Sequence, residues 1–175
     1  MRVIAGEFRS RILKTLPGLE TRPTPDRLRE ALFNVLAPRI AGAIFLDAYA
    51  GTGAVGIEAL SRGARRAVFV EKNRAAVEVI RENLAALGVE DRAEVFTGKV
   101  LPVLERVRAD IVFLDPPYEN ASEYDAALLA LGAGSAQLVI AQHAARAALN
   151  QEYGNLKQYR VLKQGDNSLS FYAPA

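Results

Sequence analysis

The chain has 175 residues, half of them hydrophobic, and a formal net charge of +2. This is enough apolar surface for one domain with its own core and too little charge for a polycation. Cysteine is absent and His143 is the one histidine, which excludes disulfides, thiolate nucleophiles and Cys/His metal clusters.

Gly6 and Glu7 break the first residues too early for a signal peptide, and no apolar run approaches a membrane span. A soluble, cytoplasmic, monomeric protein is therefore expected. Residues 2–5 and 11–16 can pair as a small hairpin around 6–10. This segment carries Arg2, Arg9, Arg11 and Lys14 against Glu7 alone, so the basic excess of the chain sits here. Such a cluster suits either salt-sensitive contact with a phosphate backbone or a solvated charged face. Thr24 is expected to cap a helix over 26–36 with Pro25 as its first residue. On it Leu28, Leu32 and Leu36 form an apolar stripe, and Arg27, Glu30 and Asn34 lie on another face.

Residues 43–47 read as a short buried strand ending in Asp47. The turn Ala48-Tyr49-Ala50-Gly51-Thr52-Gly53-Ala54-Val55-Gly56 follows and opens a helix over 57–62. Gly51 and Gly53 allow the backbone to approach a ligand closely, and Gly56 allows tight helix packing. A second strand, 67–70, is closed by Glu71, about twenty positions after Gly51, where a carboxylate can grip ribose hydroxyls. The pattern points to an adenosine-type cofactor. Asp47 separates the options, since an acid there attracts the ammonium of a methionine moiety and repels a pyrophosphate. S-adenosylmethionine is thus preferred to a nicotinamide dinucleotide.

Asn73 should cap a helix running to Leu87 and ended by Gly88. A strand over 93–97, a short helix over 100–107 and a strand over 110–114 follow. That last strand delivers Asp115-Pro116-Pro117-Tyr118, a tetrapeptide suited to methylating the exocyclic amine of a base. The Asp115 carboxylate and the Pro116 carbonyl can accept both amine N–H groups and turn the lone pair toward an electrophile. The two prolines restrict the backbone in advance, and Tyr118 offers a flat face for an extruded base. A helix over 122–131, a strand over 137–141 and a helix over 143–150 are expected next. Strands over 156–162 and 168–172, joined by 163–167, form a closing hairpin.

The runs Arg2 to Arg11, Thr21-Arg22-Pro23-Thr24 to Asn34, Asp47 to Ala64 and Asp115 to Tyr118 closely resemble the RsmD family. These are bacterial methyltransferases that make N2-methylguanosine in small-subunit ribosomal RNA. The resemblance spans the chain. It implies an α/β fold of the class I S-adenosylmethionine-dependent methyltransferase type: a Rossmann-like sheet ending in an antiparallel hairpin, with residues 1–40 as an N-terminal hairpin and helix extension and 41–175 as the core. It implies cofactor contacts drawn from Asp47, Ala50, Gly51, Thr52, Gly53, Glu71, Lys72 and Asp115, and catalysis at Asp115, Pro116, Pro117 and Tyr118. RNA contacts would come from Arg2, Arg9, Arg11, Lys14, Arg22 and Tyr118, with ribosomal RNA, in the small subunit or its assembly intermediate, as partner. No metal is expected. One departure is Thr97-Gly98-Lys99, where many class I methyltransferases place an Asp or Asn on the adenine amine, so that contact is not carried over.

Two rivals share features of this sequence. A DNA adenine-N6 methyltransferase can use the same tetrapeptide, but the residues after Tyr118 are consumed by the remaining strands, leaving little for a sequence-reading region. A non-enzymatic RNA-binding factor on the same scaffold is disfavoured by the intact Asp115, Tyr118 and Gly51 turn.

Overall fold

The computed structural model of the protein describes residues 1–18, 24–117 and 120–175. Helix α1 (Asp26–Ile40) comes first and strand β1 (Ile44–Ala48) next. The chain then alternates through α2 (Ala54–Ser61), β2 (Arg66–Glu71), α3 (Arg74–Leu87), β3 (Ala93–Thr97), α4 (Val100–Arg106), β4 (Ile111–Leu114), α5 (Ala121–Gly132) and β5 (Leu138–Ala144). It closes with β6 (Glu152–Tyr153), β7 (Leu156–Gln164) and β8 (Asn167–Pro174). Among the described residues these strands form one sheet of order β3-β2-β1-β4-β5-β8-β7-β6. The pairs among β1 to β5 are parallel, and β8 is antiparallel to β5 and to β7. This is the class I sheet with its antiparallel edge, as the sequence led us to expect.

Strand alternation divides the core. Leu46, Val68, Val112 and Leu114 face α4 and α5, while Phe45, Phe69, Phe113 and Ile140 face α1, α2 and α3. Runs of apolar residues buried on both faces, such as Ile111 to Leu114, are what a central parallel strand requires. Helix α1 lays Leu28, Leu32, Phe33 and Leu36 into the second face and continues past Pro38 until Ile40 is buried.

Four local expectations change. Thr24 does not cap α1: Pro25 holds the N-cap position without a side-chain bond, and the Thr24 hydroxyl reaches Gln142 Oε1 at 3.4 Å. The first helix is also longer than 26–36, because burial of Ile40 outweighs the one backbone N–H that Pro38 lacks. Residues 143–150 form no helix. Strand β5 extends through His143 and Ala144, since β8 supplies partners Ser168 and Asn167 for them, and His143 Nε2 lies 2.7 Å from Ser170 Oγ. Finally, the N-terminal hairpin is closed by one antiparallel bridge, Arg2 to Ile12, with Val3 N–H donating to Arg11 O and Leu13 N–H to Met1 O.

Candidate functional site

Between β1 and β4 the strand order reverses direction, and ligands of open α/β sheets bind outside the carboxyl ends of the strands at such a point. Registers Ala48 with Val70 and Ala48 with Leu114 put Tyr49, Glu71 and Asp115 at one level at the carboxyl ends of their strands. A cavity of about 320 Å³ opens there. Asp47, Ala50, Gly51, Thr52 and Asp115 line it from the core, and Met1, Thr15, Leu16, Thr24 and Asp26 close it from the N-terminal side.

Asp47 is buried and accepts the Gly56 N–H through Oδ2 at 2.9 Å. Burial pushes its carboxyl well above the ordinary value of 3.8; the Gly56 N–H works against this, and the charges of Asp115 and Glu71 add to it. The first turn of α2 is therefore occupied by a carboxylate of the chain, where a pyrophosphate-binding Rossmann unit leaves its amides open.

The turn after β1 has the backbone its glycines permit. Gly51 and Gly53 have φ +59° and +87°, and Gly51 has open space where a side chain would begin. Gly56 meets a different demand, since a Cβ there would stand 2.3 Å from Phe69 Cε1. Glu71 accepts Gly51 N–H through Oε1 at 2.9 Å and Asn73 N–H through Oε2 at 2.8 Å, which fixes the carboxylate and the turn together. Each oxygen keeps a further lone pair for a hydroxyl. Gly53 sits behind the turn against Ile80 and Phe69, and Lys72 is exposed.

Asp115 leaves the end of β4 half-buried in the cavity wall, followed by buried Pro116 and exposed Pro117. The predicted base platform, Tyr118, and the predicted RNA contact, Arg22, lie outside the described residues. Of the basic segment, Arg2 and Arg9 have exposed side chains. Arg11 donates from Nη2 to Ala86 O at 2.9 Å, and Lys14 pairs with Glu82 at 2.6 Å. Two of the four basic side chains are thus also tethered to α3.

Sequence reading missed two features of this region. Tyr49 has φ +61°, lines the cavity, and donates its hydroxyl to Glu123 Oε1 at 2.6 Å. Its place inside the glycine turn is the signal that could have drawn attention to it. Arg29 on α1 is fully buried, with Nη2 bonded to Asp26 Oδ1 at 2.8 Å and to Arg2 O at 3.0 Å. Nothing in a run of helix formers marks one arginine as the buried one.

Comparison with known proteins gives a consistent result. The sequence pattern of the family described as Conserved hypothetical protein 95 matches residues 1–173. The chain is 33% identical over 182 residues to YlbH of Bacillus subtilis, described as a candidate rRNA methyltransferase, with 98% of each covered. It is 39% identical over 135 residues to Ribosomal RNA small subunit methyltransferase D of Haemophilus influenzae, covering 74% of this chain and 70% of that one. A solved structure from Escherichia coli, yhhF, described as a candidate methyltransferase, superposes with a TM-score of 0.88 at 33% identity, covering 99% of this chain and 97% of that one.

Proposed function

The chain belongs to the RsmD family, described as Conserved hypothetical protein 95, and on that premise we propose that it methylates the exocyclic N2 amine of a guanine in small-subunit ribosomal RNA. At the coarser level it is an S-adenosylmethionine-dependent ribosomal RNA methyltransferase. The observation that carries the finer reading is the position of Asp115, at the end of β4 in the wall of the cavity that also holds Asp47 and the Gly51 turn.

The residues present fit the cofactor. Buried Asp47, whose proton affinity is raised, suits an ammonium; the open backbone at Gly51 suits close approach; Glu71, fixed by two amides, suits a ribose diol. Ala50, Thr52, Gly53 and Lys72 complete the proposed set around that turn. S-adenosylmethionine supplies, when bound, a methyl group already activated on a sulfonium.

Asp115 accepts one N–H of the amine and the Pro116 carbonyl the other, so the nitrogen lone pair leaves conjugation with the ring and faces the methyl group. As the new N–C bond forms, positive charge grows on the amine and is met by acceptors already in place. Asp115 then takes the departing proton and passes it to water. Pro117 restricts the backbone behind these acceptors, and Tyr118 stacks on the base. Residues 1–40, with Arg2, Arg9, Arg11, Lys14 and Arg22, hold the RNA, and residues 41–175 hold the cofactor. The protein acts as a monomer in the cytoplasm.

The test uses small subunits from cells lacking the activity, labelled S-adenosylmethionine and analysis of the nucleosides formed. N2-methylguanosine is the expected product. Asp115→Ala should lower turnover by about a hundredfold or more while calorimetry finds cofactor affinity nearly intact. A different methylated nucleoside, or unchanged turnover in the variant, would overturn this reading.

A further inference from the structure

The acceptors at Asp115 and Pro116 hold an amine without telling which base carries it, because adenine N6 and guanine N2 offer the same two N–H groups. Stacking on an aromatic face is equally indifferent, since every base has one. The ring nitrogen beside the amine is what differs. Guanine presents N1–H, a donor, next to its N2 amine, whereas adenine presents a bare N1 acceptor next to its N6 amine. A reader of this difference is an acceptor held firmly at the edge of the site.

Tyr49 lines the cavity, and its hydroxyl holds Glu123 as the nearest such acceptor behind it. Tyr49 sits in the left-handed region at φ +61°, a conformation that L residues other than Asn and Asp rarely hold without purpose. Its ring packs against the core formed with α4 and α5, and its residue lines the same cavity as Asp115. The hydroxyl ends 2.6 Å from Glu123 Oε1. Burial, and next the Glu123 hydrogen bond, push the phenol above its usual range, so it stays the donor of the pair. Glu123 lies in the first turn of α5, the helix into which the Asp115 turn leads. Asn120 fixes its backbone, with the Glu123 N–H lying 3.3 Å from Asn120 Oδ1 and 3.0 Å from Asn120 O. One carboxylate oxygen is thus anchored by a neutral donor, and the half-buried group keeps further lone pairs. Asp26, an acid that lines the cavity, is instead bound to the buried Arg29 guanidinium.

We propose that Glu123, oriented by Tyr49, is the specificity-determining residue that accepts N1–H of the target guanine. This rests on the assignment of Asp115 to the N2 amine. An adenine in the same place would bring its N1 lone pair against the carboxylate, so the contact rejects as well as selects. A charged hydrogen bond of this kind corresponds to about a 10- to 100-fold preference.

The experiment compares small subunits reconstituted with guanine or with 2-aminopurine at the methylated position. 2-Aminopurine keeps the 2-amine and lacks N1–H. Wild-type protein should methylate guanine about 10- to 100-fold faster. Glu123→Gln keeps an acceptor for the Tyr49 hydroxyl and gains an N–H that can meet a bare N1, so its preference should collapse or reverse. Tyr49→Phe releases the carboxylate and should weaken the preference in the same direction, and cofactor titration of each variant verifies that it is folded. Equal rates on both bases by the wild type, or an undiminished preference in Glu123→Gln, overturn the proposal while N2-methylguanosine formation leaves the assigned reaction standing. If the wild type forms no N2-methylguanosine, both fall together.

Discussion

Asp47 is the most perturbed acid in the cavity wall. Its carboxyl is buried, and that burial holds its pKa above 3.8. The sign follows from linkage: a raised folded value favours the protonated form, so the contribution to stability is fully present below 3.8 and is lost as pH rises through the folded value. An ammonium beside it removes the penalty, so cofactor affinity should climb with pH over that window. Thermal melts and cofactor titrations from pH 4 upward, on wild type and Asp47→Asn, measure both effects. The difference in stability between the two should shift steadily against the wild type as pH rises, and the variant's cofactor affinity should be low and flat. Parallel curves for the two proteins would mean that Asp47 never meets the ligand. The placement of Asp47, Gly51 and Glu71 around one turn was legible in the sequence because it depends on backbone within a few residues or one strand away. Tyr49 and Arg29 were not, since each acquires its role from a partner that only the folded chain brings near.

At the level of elements, α2 does more than follow the glycine turn. Its buried Glu58 accepts Ile4 N–H at 2.9 Å and Ala5 N–H at 3.1 Å, and pairs with Arg62 at 2.8 Å. One turn on, Ser61 Oγ donates to Ala5 O at 2.6 Å and accepts Phe8 N–H at 2.9 Å. Gly6 has φ +89° between these contacts, and a Cβ there would fall 2.0 Å from Ser61 O. The N-terminal segment is therefore fastened to the helix that follows the glycine turn, which keeps Met1 and Leu16 at the cavity wall. Glu58→Ala would leave two amides and an arginine without their acceptor, at a cost of about 3 kcal/mol. Urea unfolding should register that loss, and hydrogen exchange should rise most at residues 3–8. Exchange confined to α2, with residues 3–8 as protected as before, would separate the two segments. The sequence suggested a hairpin here, 2–5 against 11–16 around 6–10, yet the fastening runs through acceptors on α2, outside any local pattern. The helix expected over 143–150 failed for a related reason: the residues that β8 pairs with His143 and Ala144 come from the far end of the chain.

For the molecule as a whole, the parallel strand and helix alternation and the closing hairpin were legible in the sequence, because each depends on local periodicity and turn signals. The division of the basic segment was not. Four cations looked equivalent in the sequence; in the fold, Arg11 and Lys14 reach back to α3, while Arg2 and Arg9 make no such tether among the described residues. RNA binding through phosphates releases counterions, so the slope of log affinity against log salt counts contacts. Replacing Arg2 and Arg9 together by Ala should weaken binding of small-subunit RNA and flatten that slope by roughly 0.7 per lost contact. Cofactor affinity should not change, because neither side chain lines the cavity. Replacing Lys14 alone should flatten the slope less, since its ammonium already has Glu82 as a counter-charge. Filter binding across a salt series distinguishes the two. If the Arg2 and Arg9 variant keeps the wild-type slope, the phosphates are held by another face of the molecule and the N-terminal segment serves the cavity alone.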